Sequence, residues 1–201
     1  MVRRRQQNTS QNKPSTGFVR IIGGIWRGRK LPVHDAQGLR PTTDRVKETL
    51  FNWIARDVPR AKCLDLFAGS GSLGFEAASR QADEVTLIEL NPTAFKQLKA
   101  NADALKADTL KVHNGDSLAY LRQPGTPHHV VFIDPPFRQG LLNEVVTLLE
   151  QNGWLADDAM IYIETEKELV LDCIPAHWHL HREKVAGQVC YRLYERQHTE
   201  N

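Results

Sequence analysis

Short β-prone runs alternate with amphipathic helical patterns along the central part of the chain. The runs at 63–66, 84–89, 109–113 and 130–134 are separated by helical spacing at about 72–81, 91–105 and 116–122, and a further helix is predicted at about 139–151. Strands and helices that alternate in this way form a parallel sheet with helices on both faces and right-handed crossovers. The pattern therefore predicts a doubly wound α/β domain.

The pattern changes after the last of these helices. Three more strands are predicted at 160–164, about 178–183 and 189–194, with no comparable helix between the last two. Two strands joined by a short connection pair in antiparallel fashion. We therefore expect a Rossmann-like, seven-stranded and mostly parallel sheet that is completed by a C-terminal antiparallel hairpin.

The first 60 residues differ from the rest of the chain. Residues 1–16 are polar and lack apolar periodicity, so they are predicted to form a disordered basic tail. Glycines separate two short β-prone runs at 18–22 and 29–33, which predicts a small β-hairpin, and helical spacing then predicts a helix at about 44–57. The expected division is a tail (1–16), an N-terminal extension of hairpin and helix (17–60) and an α/β domain (61–201).

Composition narrows the class of protein. The chain has 201 residues, of which 41% are hydrophobic, enough for one domain with a continuous core. No run approaches the roughly 18 apolar residues that span a bilayer, and the basic start lacks the apolar region of a secretion signal. The three cysteines, Cys63, Cys173 and Cys190, are too far apart to suggest a disulfide framework or a thiolate zinc site. These features predict a cytoplasmic protein without a membrane anchor.

A net charge of +2 conceals an asymmetry along the chain. Residues 1–45 carry 10 Lys and Arg against 2 Asp and Glu, a net charge of +8, which leaves −6 for residues 46–201. A basic end on an acidic body is typical of a protein that contacts polyphosphate with one end. The alternative interpretation is a tail that only keeps the protein soluble.

A glycine-rich turn follows the first predicted strand of the α/β domain. Gly69, Gly71 and Gly74 form a G-x-G-x-x-G pattern, which lets a ligand approach the backbone at the carboxyl edge of the sheet. A nicotinamide dinucleotide site is one interpretation of that pattern. Asp65 argues against it, because a carboxylate beside the turn would repel pyrophosphate and attract a cation. S-adenosylmethionine carries both a sulfonium and an ammonium group.

Two more carboxylates follow the next two predicted strands. Glu89 closes the second strand, where such folds place an acid on ribose hydroxyls. Asp116 follows the third strand and could accept a hydrogen bond from an adenine amine, although a helix N-cap is the simpler interpretation of that residue alone. Together with Asp65, these residues lie at the carboxyl ends of successive strands, where open α/β sheets bind ligands.

The fourth predicted strand runs into Asp134-Pro135-Pro136-Phe137. Two consecutive prolines make a rigid turn, so the Asp134 carboxylate and the Pro135 carbonyl can accept hydrogen bonds from an exocyclic amine of a nucleobase. Phe137 offers a ring on which an unstacked base can lie. The alternative interpretation, a buried proline turn that ends in a core phenylalanine, applies when such a sequence stands alone.

These motifs resemble those of a known family. Asp65–Gly71 is similar to the cofactor loop of class I S-adenosylmethionine-dependent methyltransferases, and Asp134–Phe137 resembles the D/N-P-P-Y/F motif of their exocyclic-amine branch. Over residues 18–196 the chain resembles the bacterial RsmD-type 16S rRNA (guanine-N2)-methyltransferases, through segments that include Arg20-Ile21-Ile22-Gly23-Gly24, Arg27-Gly28-Arg29 and Arg40-Pro41-Thr42-Thr43-Asp44-Arg45.

The resemblance implies methyl transfer from S-adenosylmethionine to the N2 amine of a guanine in 16S ribosomal RNA, within an assembled or assembling small subunit. The implied cofactor site consists of Asp65, Phe67, Ala68, Gly69, Ser70, Gly71, Glu89, Leu90, Asn91, Asp116 and Ser117. The implied catalytic residues are Asp134, Pro135, Pro136 and Phe137, and the expected RNA contacts are Arg20, Arg27, Arg29, Lys30, Arg40 and Arg45.

Other interpretations remain open at the level of sequence. An adenine-N6 methyltransferase would use the same Asp-Pro-Pro-Phe chemistry, and a noncatalytic RNA-binding or assembly factor could keep the fold. No metal site is expected, because His177, His179 and His181 alternate along a predicted strand without a carboxylate or thiol at short spacing.

Overall fold

The computed structural model describes residues 17–33 and 43–197, so the predicted tail and the predicted RNA contact Arg40 lie outside the described residues. The strands are β1 (Gly17–Arg20), β2 (Lys30–Val33), β3 (Lys62–Asp65), β4 (Glu84–Glu89), β5 (Leu110–Asn114), β6 (His128–Ile133), β7 (Leu155–Glu166), β8 (Trp178–Ala186) and β9 (Val189–Arg196). The helices are α1 (Asp44–Trp53), α2 (Ser72–Ser79), α3 (Pro92–Leu105), α4 (Ser117–Leu121) and α5 (Leu142–Gln151). Over the described ranges, no helix is long and apolar enough to cross a membrane.

Seven strands form one sheet in the order β5-β4-β3-β6-β7-β9-β8, which confirms the predicted architecture. The first five strands in this order are parallel, and β9 is antiparallel to both β7 and β8. From β3 the chain builds the sheet outward through β4 and β5, and it then returns to place β6 on the other side of β3. Such a reversal opens a crevice at the carboxyl ends of the central strands, where α/β proteins bind ligands.

Side chains on the two faces of the sheet enter separate hydrophobic clusters. Cys63 and Phe132 pack with α1, α2 and α3, whereas Leu64 and Ile133 pack with α4 and α5. Cys63 is fully buried and is a core residue, as expected, and this burial, together with the charge of Asp65, raises the pKa of its thiol to about 12. Both faces of the central strands β3 and β6 are therefore covered, whereas the edge strand β5 is only partly buried.

Some predicted boundaries were wrong. Helix α1 was predicted to continue to residue 57 but ends at Trp53, and tight backbone turns follow it before β3. Helix α5 was predicted to start at 139 but starts at Leu142, because Arg138 (φ 63°) and Gly140 (φ 64°) adopt left-handed backbone conformations that no helix contains. Strand β7 is longer than predicted at both ends and begins at Leu155.

The three histidines do not all lie in regular strand pairing. His177 lies before β8 and contacts Glu150 (Nε2 to Oε1, 3.0 Å), whereas His179 and His181 lie on β8, where the pairing with β9 shifts register between Leu180 and Arg182. Within residues 17–33 and 43–197, no group of three or more His, Cys, Asp or Glu side chains could hold a metal ion.

The N-terminal hairpin is anchored to the end of α2. Ser79 Oγ donates to the Gly23 carbonyl (2.6 Å) and accepts from the Trp26 backbone N–H (3.0 Å), while the Ser79 carbonyl accepts from the Ile25 N–H (2.7 Å). Gly24 has φ 75°, and a Cβ there would lie 1.8 Å from the Ser79 carbonyl oxygen. Only glycine allows this close approach, so the hairpin has a fixed place on the domain.

Candidate active site

The turn between β3 and α2 forms one side of the crevice. Gly69 (φ 52°) and Gly71 (φ 77°) have left-handed conformations, and a Cβ on Gly71 would lie 2.6 Å from both Leu98 and Phe75. The absence of a side chain at Gly71 therefore lets Leu98 and Phe75 pack against the turn, and the turn brings backbone to the carboxyl edge of the sheet. The Ala68 N–H bonds to the Ile88 carbonyl (3.0 Å), which fixes the turn to β4.

Glu89 lies at the end of β4 with both carboxylate oxygens bonded to backbone. Oε2 accepts from the Gly69 N–H and Oε1 accepts from the Asn91 N–H, each at 2.7 Å. Each carboxylate oxygen has two lone pairs, so one lone pair on each remains for a ribose diol. The carboxylate is thus held in a fixed orientation directly beside the glycine turn.

Three of the residues predicted to bind the cofactor have structural roles. Asn91 is the N-cap of α3, and its Oδ1 accepts from the N–H groups of Thr93 and Ala94. Asp116 is the N-cap of α4, as the simpler interpretation suggested, and Ser117 Oγ donates to the Leu66 carbonyl. These bonds hold the N-termini of α3 and α4 beside the crevice, and the exposed Asp116 carboxylate still borders it.

Asp65 is buried beneath the glycine turn. Its side chain is 2% exposed, and Oδ2 accepts from the Gly74 N–H at 3.2 Å. Burial raises the pKa of Asp65 to about 7, with the charge of Glu89 adding to the rise and backbone N–H groups opposing it. A cation in the crevice would favour the ionised carboxylate, and no cationic side chain in the described part of the chain contributes to this pKa shift.

Asp134 follows β6, which is the neighbour of β3. Burial, reinforced by the charges of Glu164 and Asp65, raises the pKa of Asp134 well above its usual value. Because side chains alternate along a strand, Asp65 and Asp134 point to the same face as Cys63 and Phe132. Two adjacent central strands therefore present carboxyl groups to one crevice.

The turn after Asp134 carries an aromatic ring at the surface. Pro135 is buried and Pro136 is exposed, and the Phe137 side chain is 37% exposed, so it is not the core residue of the alternative interpretation. The Arg138 backbone N–H donates to Glu166 Oε1 (2.5 Å), which fixes the end of the turn to β7. The exposed ring is available for contact with a planar ligand.

The predicted RNA contacts occupy different environments. Arg27, Arg29, Lys30 and Arg45 are exposed. Arg20 forms a two-bond ion pair with Asp44, with Nε and Nη2 at 3.0 and 2.7 Å from Oδ2. Arg20 therefore connects the hairpin to α1, and a phosphate would compete with Asp44 for it.

Sequence reasoning missed three residues of the site. Asn114 Nδ2 donates to the carbonyls of Glu89 (2.8 Å) and Leu90 (3.1 Å), which holds the exposed Leu90 at the rim. Glu164 and Tyr162 lie on β7 beside Asp134, and the Tyr162 hydroxyl donates to Glu164 Oε2 at 2.8 Å. An apolar run interrupted by Glu164 near the end of a predicted strand was the available signal for this pair.

The strand order and the crevice define a class I methyltransferase fold. Residues 19–195 match a family model described as "Conserved hypothetical protein 95", and the chain belongs to this family, the RsmD family.

Named relatives agree with that assignment. "Ribosomal RNA small subunit methyltransferase D" of Escherichia coli (strain K12) is 60% identical over 186 residues, which cover 92% of this chain and 94% of the relative. The protein of the same name from Haemophilus influenzae is 52% identical and covers 92% and 97% of the two chains. The solved structure of yhhF from Escherichia coli is 59% identical, with a TM-score of 0.84, and covers 91% of this chain and 100% of that one.

Proposed function

We propose that this protein transfers a methyl group from S-adenosylmethionine to the N2 amine of a guanine in 16S ribosomal RNA, in the bacterial cytoplasm. The observation that carries the proposal is the placement of Asp65 at the end of β3 and of Asp134 directly after the adjacent strand β6, with the glycine turn following one and the Pro-Pro turn following the other. The names of the relatives support ribosomal RNA of the small subunit as the substrate.

The residues around the glycine turn fit the chemistry of the cofactor. The glycine turn brings backbone to the crevice, Glu89 offers two oriented acceptors for a diol, and Asp65 offers an anion for an ammonium group. When bound there, S-adenosylmethionine supplies an electrophilic methyl group on a sulfonium.

Asp134 and the Pro135 carbonyl would orient the target amine. An exocyclic amine is a weak nucleophile because its lone pair is delocalised into the base, so acceptors for its N–H groups must hold it in the reactive geometry. After transfer the amine is cationic and must lose a proton, for which the Asp134 carboxylate is the nearest acceptor in this proposal. Phe137 would support the base, which is taken out of its stack.

The direct test uses the full chain, small-subunit RNA both bare and in assembled particles, and S-adenosylmethionine with a labelled methyl group. The RNA is digested to nucleosides after the reaction. The proposal expects the label in N2-methylguanosine, whereas label in N6-methyladenosine would support the adenine enzyme. A dehydrogenase is distinguished by calorimetric binding of NAD in place of S-adenosylmethionine.

Cofactor affinity is expected to rise with pH through the titration of Asp65. The free protein holds a proton on Asp65 below its pKa of about 7, and a cation prefers the carboxylate, so affinity at pH 6 should be about tenfold lower than its value above pH 8. Asp65→Asn should bind about 1.5–3 kcal/mol more weakly at pH 8 and lose most of this pH dependence. Calorimetry at pH 6 and pH 8 checks both, and equal pH dependence in the two proteins would contradict the assignment.

The exposed basic side chains of the hairpin are expected to supply RNA affinity. Each phosphate contact contributes about 0.7–0.9 to the slope of log K against log salt, so replacing Arg27, Arg29 and Lys30 with alanine should lower the slope by about two. Cofactor binding should not change. A matched control replaces three exposed lysines elsewhere on the domain, Lys96, Lys99 and Lys184, and removes the same charge. Equal slopes in wild type and the hairpin variant would disprove this role.

A further inference from the structure

A second carboxyl group lies directly beside Asp134 at the edge of the sheet. The parallel pairing of β6 with β7 continues to Ile133 and Ile163, so the next residues along the two strands are Asp134 and Glu164. Both follow the same alternation and therefore point to the same face of the sheet. The charge of Glu164 reaches Asp134 and raises its pKa.

Glu164 is held in place by a buried tyrosine. Tyr162 is fully buried, its hydroxyl donates to Glu164 Oε2 (2.8 Å), and Glu164 itself is 9% exposed. This hydrogen bond favours the ionised form of Glu164 and opposes the effect of burial, which raises the pKa of Glu164. Burying a carboxylate costs free energy even when a hydroxyl group donates to it, so the presence of Glu164 in the core indicates a role beyond packing.

The surroundings of the pair are acidic and aromatic. Asp65 faces Asp134 from β3, and Tyr191 on β9 is the register partner of Glu164. Helix α1 contributes rings on this side, since Phe51 lies 6.0 Å from Phe132 and Trp53 lies 5.5 Å from Tyr191, between ring centroids. Among the described residues, no cation contributes to the shifted pKa of either Asp134 or Glu164.

We propose that Glu164 is a positioning residue for methyl transfer: its carboxylate, held by the Tyr162 hydroxyl, strengthens Asp134 as the acceptor of the proton that the methylated amine releases. This inference rests on the function proposed above. In the reaction, the bond from nitrogen to the methyl carbon forms as the carbon–sulfur bond breaks, and the electron pair of the broken bond stays on sulfur. The cationic nitrogen then gives its proton to the Asp134 carboxylate, which later releases it to water.

A neighbouring anion acts on a base in two ways that can be measured separately. It increases the proton affinity of Asp134, so the acid limb of the pH–rate profile lies at higher pH, and it makes Asp134 a better proton acceptor once it is ionised. Loss of the anion should therefore move the acid limb to lower pH and also lower the rate on the plateau. A side chain that only supports the fold would lower the rate without moving the limb.

The test compares single-turnover methyl transfer from pH 5 to pH 9 in the wild-type chain and in Glu164→Gln, which keeps an oxygen for the Tyr162 hydroxyl. We expect the acid limb to move down by about one pH unit or more, and the plateau rate to fall about tenfold. Tyr162→Phe, which keeps the carboxyl group without its donor, should move the limb in the same direction by less. Glu183→Gln removes an exposed carboxylate that pairs with Arg192 on the C-terminal hairpin and should behave as wild type.

Two results would overturn the inference. These are an acid limb that does not move in Glu164→Gln, so that any rate loss is equal at every pH, and a limb that moves to higher pH in Tyr162→Phe. Nucleoside analysis of the product is evaluated separately. If the methylated product is another amine but the limb moves as expected, the guanine assignment fails and the role of Glu164 stands. If the wild-type chain methylates no RNA, the proposed function fails and this inference fails with it.

Discussion

Replacing Asp134 with alanine is expected to slow methyl transfer by about 10²-fold or more, while the affinity for S-adenosylmethionine stays close to that of wild type. Loss of one preorganised group that orients the reacting atoms commonly has an effect of this size. The carboxylate lies after β6 at the substrate side of the crevice, and the glycine turn and Glu89 are not bonded to it. Single-turnover rates with saturating cofactor measure the effect.

The Asp134 variant should remain folded. The pKa of Asp134 is raised in the folded protein, so this carboxyl group stabilises the fold fully only at pH values below its unfolded pKa, and that contribution is lost as pH rises through the folded pKa. At neutral pH, loss of the Asp134 carboxyl group therefore does not lower the free energy of unfolding through the loss of its charge. Asp134→Asn keeps an oxygen acceptor but cannot take a proton, so its rate should lie between those of wild type and the alanine variant. Full activity in Asp134→Ala would contradict the proposed role of the Asp-Pro-Pro-Phe turn.

Replacing Glu76 with alanine is expected to lower the free energy of unfolding by about 3–5 kcal/mol, the usual cost of leaving a buried charge without its partner. Glu76 is fully buried on α2, where Oε2 accepts from the Ile22 N–H (2.9 Å) and lies 3.7 Å from Lys47 Nζ. Its Oε1 accepts from Arg80 Nε (2.8 Å). The Glu76 carboxylate thus joins the hairpin, α1 and α2.

The partner that would lose its adjacent carboxylate is Lys47, which is 1% exposed on α1 and would keep the hydrogen bond that its Nζ donates to the Arg20 carbonyl (2.5 Å). Burial lowers the pKa of Lys47, and the charge of Glu76 opposes that change. Urea unfolding followed by circular dichroism measures the loss. Glu144→Ala is the matched control, because its ion pair with Arg122 is largely exposed and should contribute less than about 1 kcal/mol. Equal decreases in the free energy of unfolding of the two variants would contradict the expected contribution of the buried Glu76 carboxylate.

The sheet could be predicted because its signals are local. Strands such as 84–89 are apolar runs bounded by turn residues, and the structure places β4 at those same positions. The helix ends were less accurate, since tight turns after Trp53 and left-handed residues before Leu142 depend on backbone geometry that apolar periodicity does not report. The attachment of the hairpin to Ser79 could not be foreseen, because it joins residues more than 50 positions apart.

The candidate site likewise contains some residues that could be identified from the sequence and others that could not. Asp65, Glu89 and Asp134 could be picked out because each follows a strong strand pattern at a carboxyl end. Glu164 was missed because its importance comes from register: only the pairing of β6 with β7 places it beside Asp134. Asn91 and Asp116 show a different case. Both were expected to lie near a ligand, and in the structure they are also the N-caps of α3 and α4.

The central claim, methylation of one guanine in small-subunit ribosomal RNA, is tested most directly by mapping methylated nucleosides in that RNA by mass spectrometry. The RNA is taken from cells that lack this protein and from the same cells supplied with the wild-type chain or with Asp134→Ala. The account predicts that a single N2-methylguanosine is absent without the protein, returns with the wild-type chain and does not return to its full level with the variant. An unchanged set of methylated guanines in all the samples would contradict it.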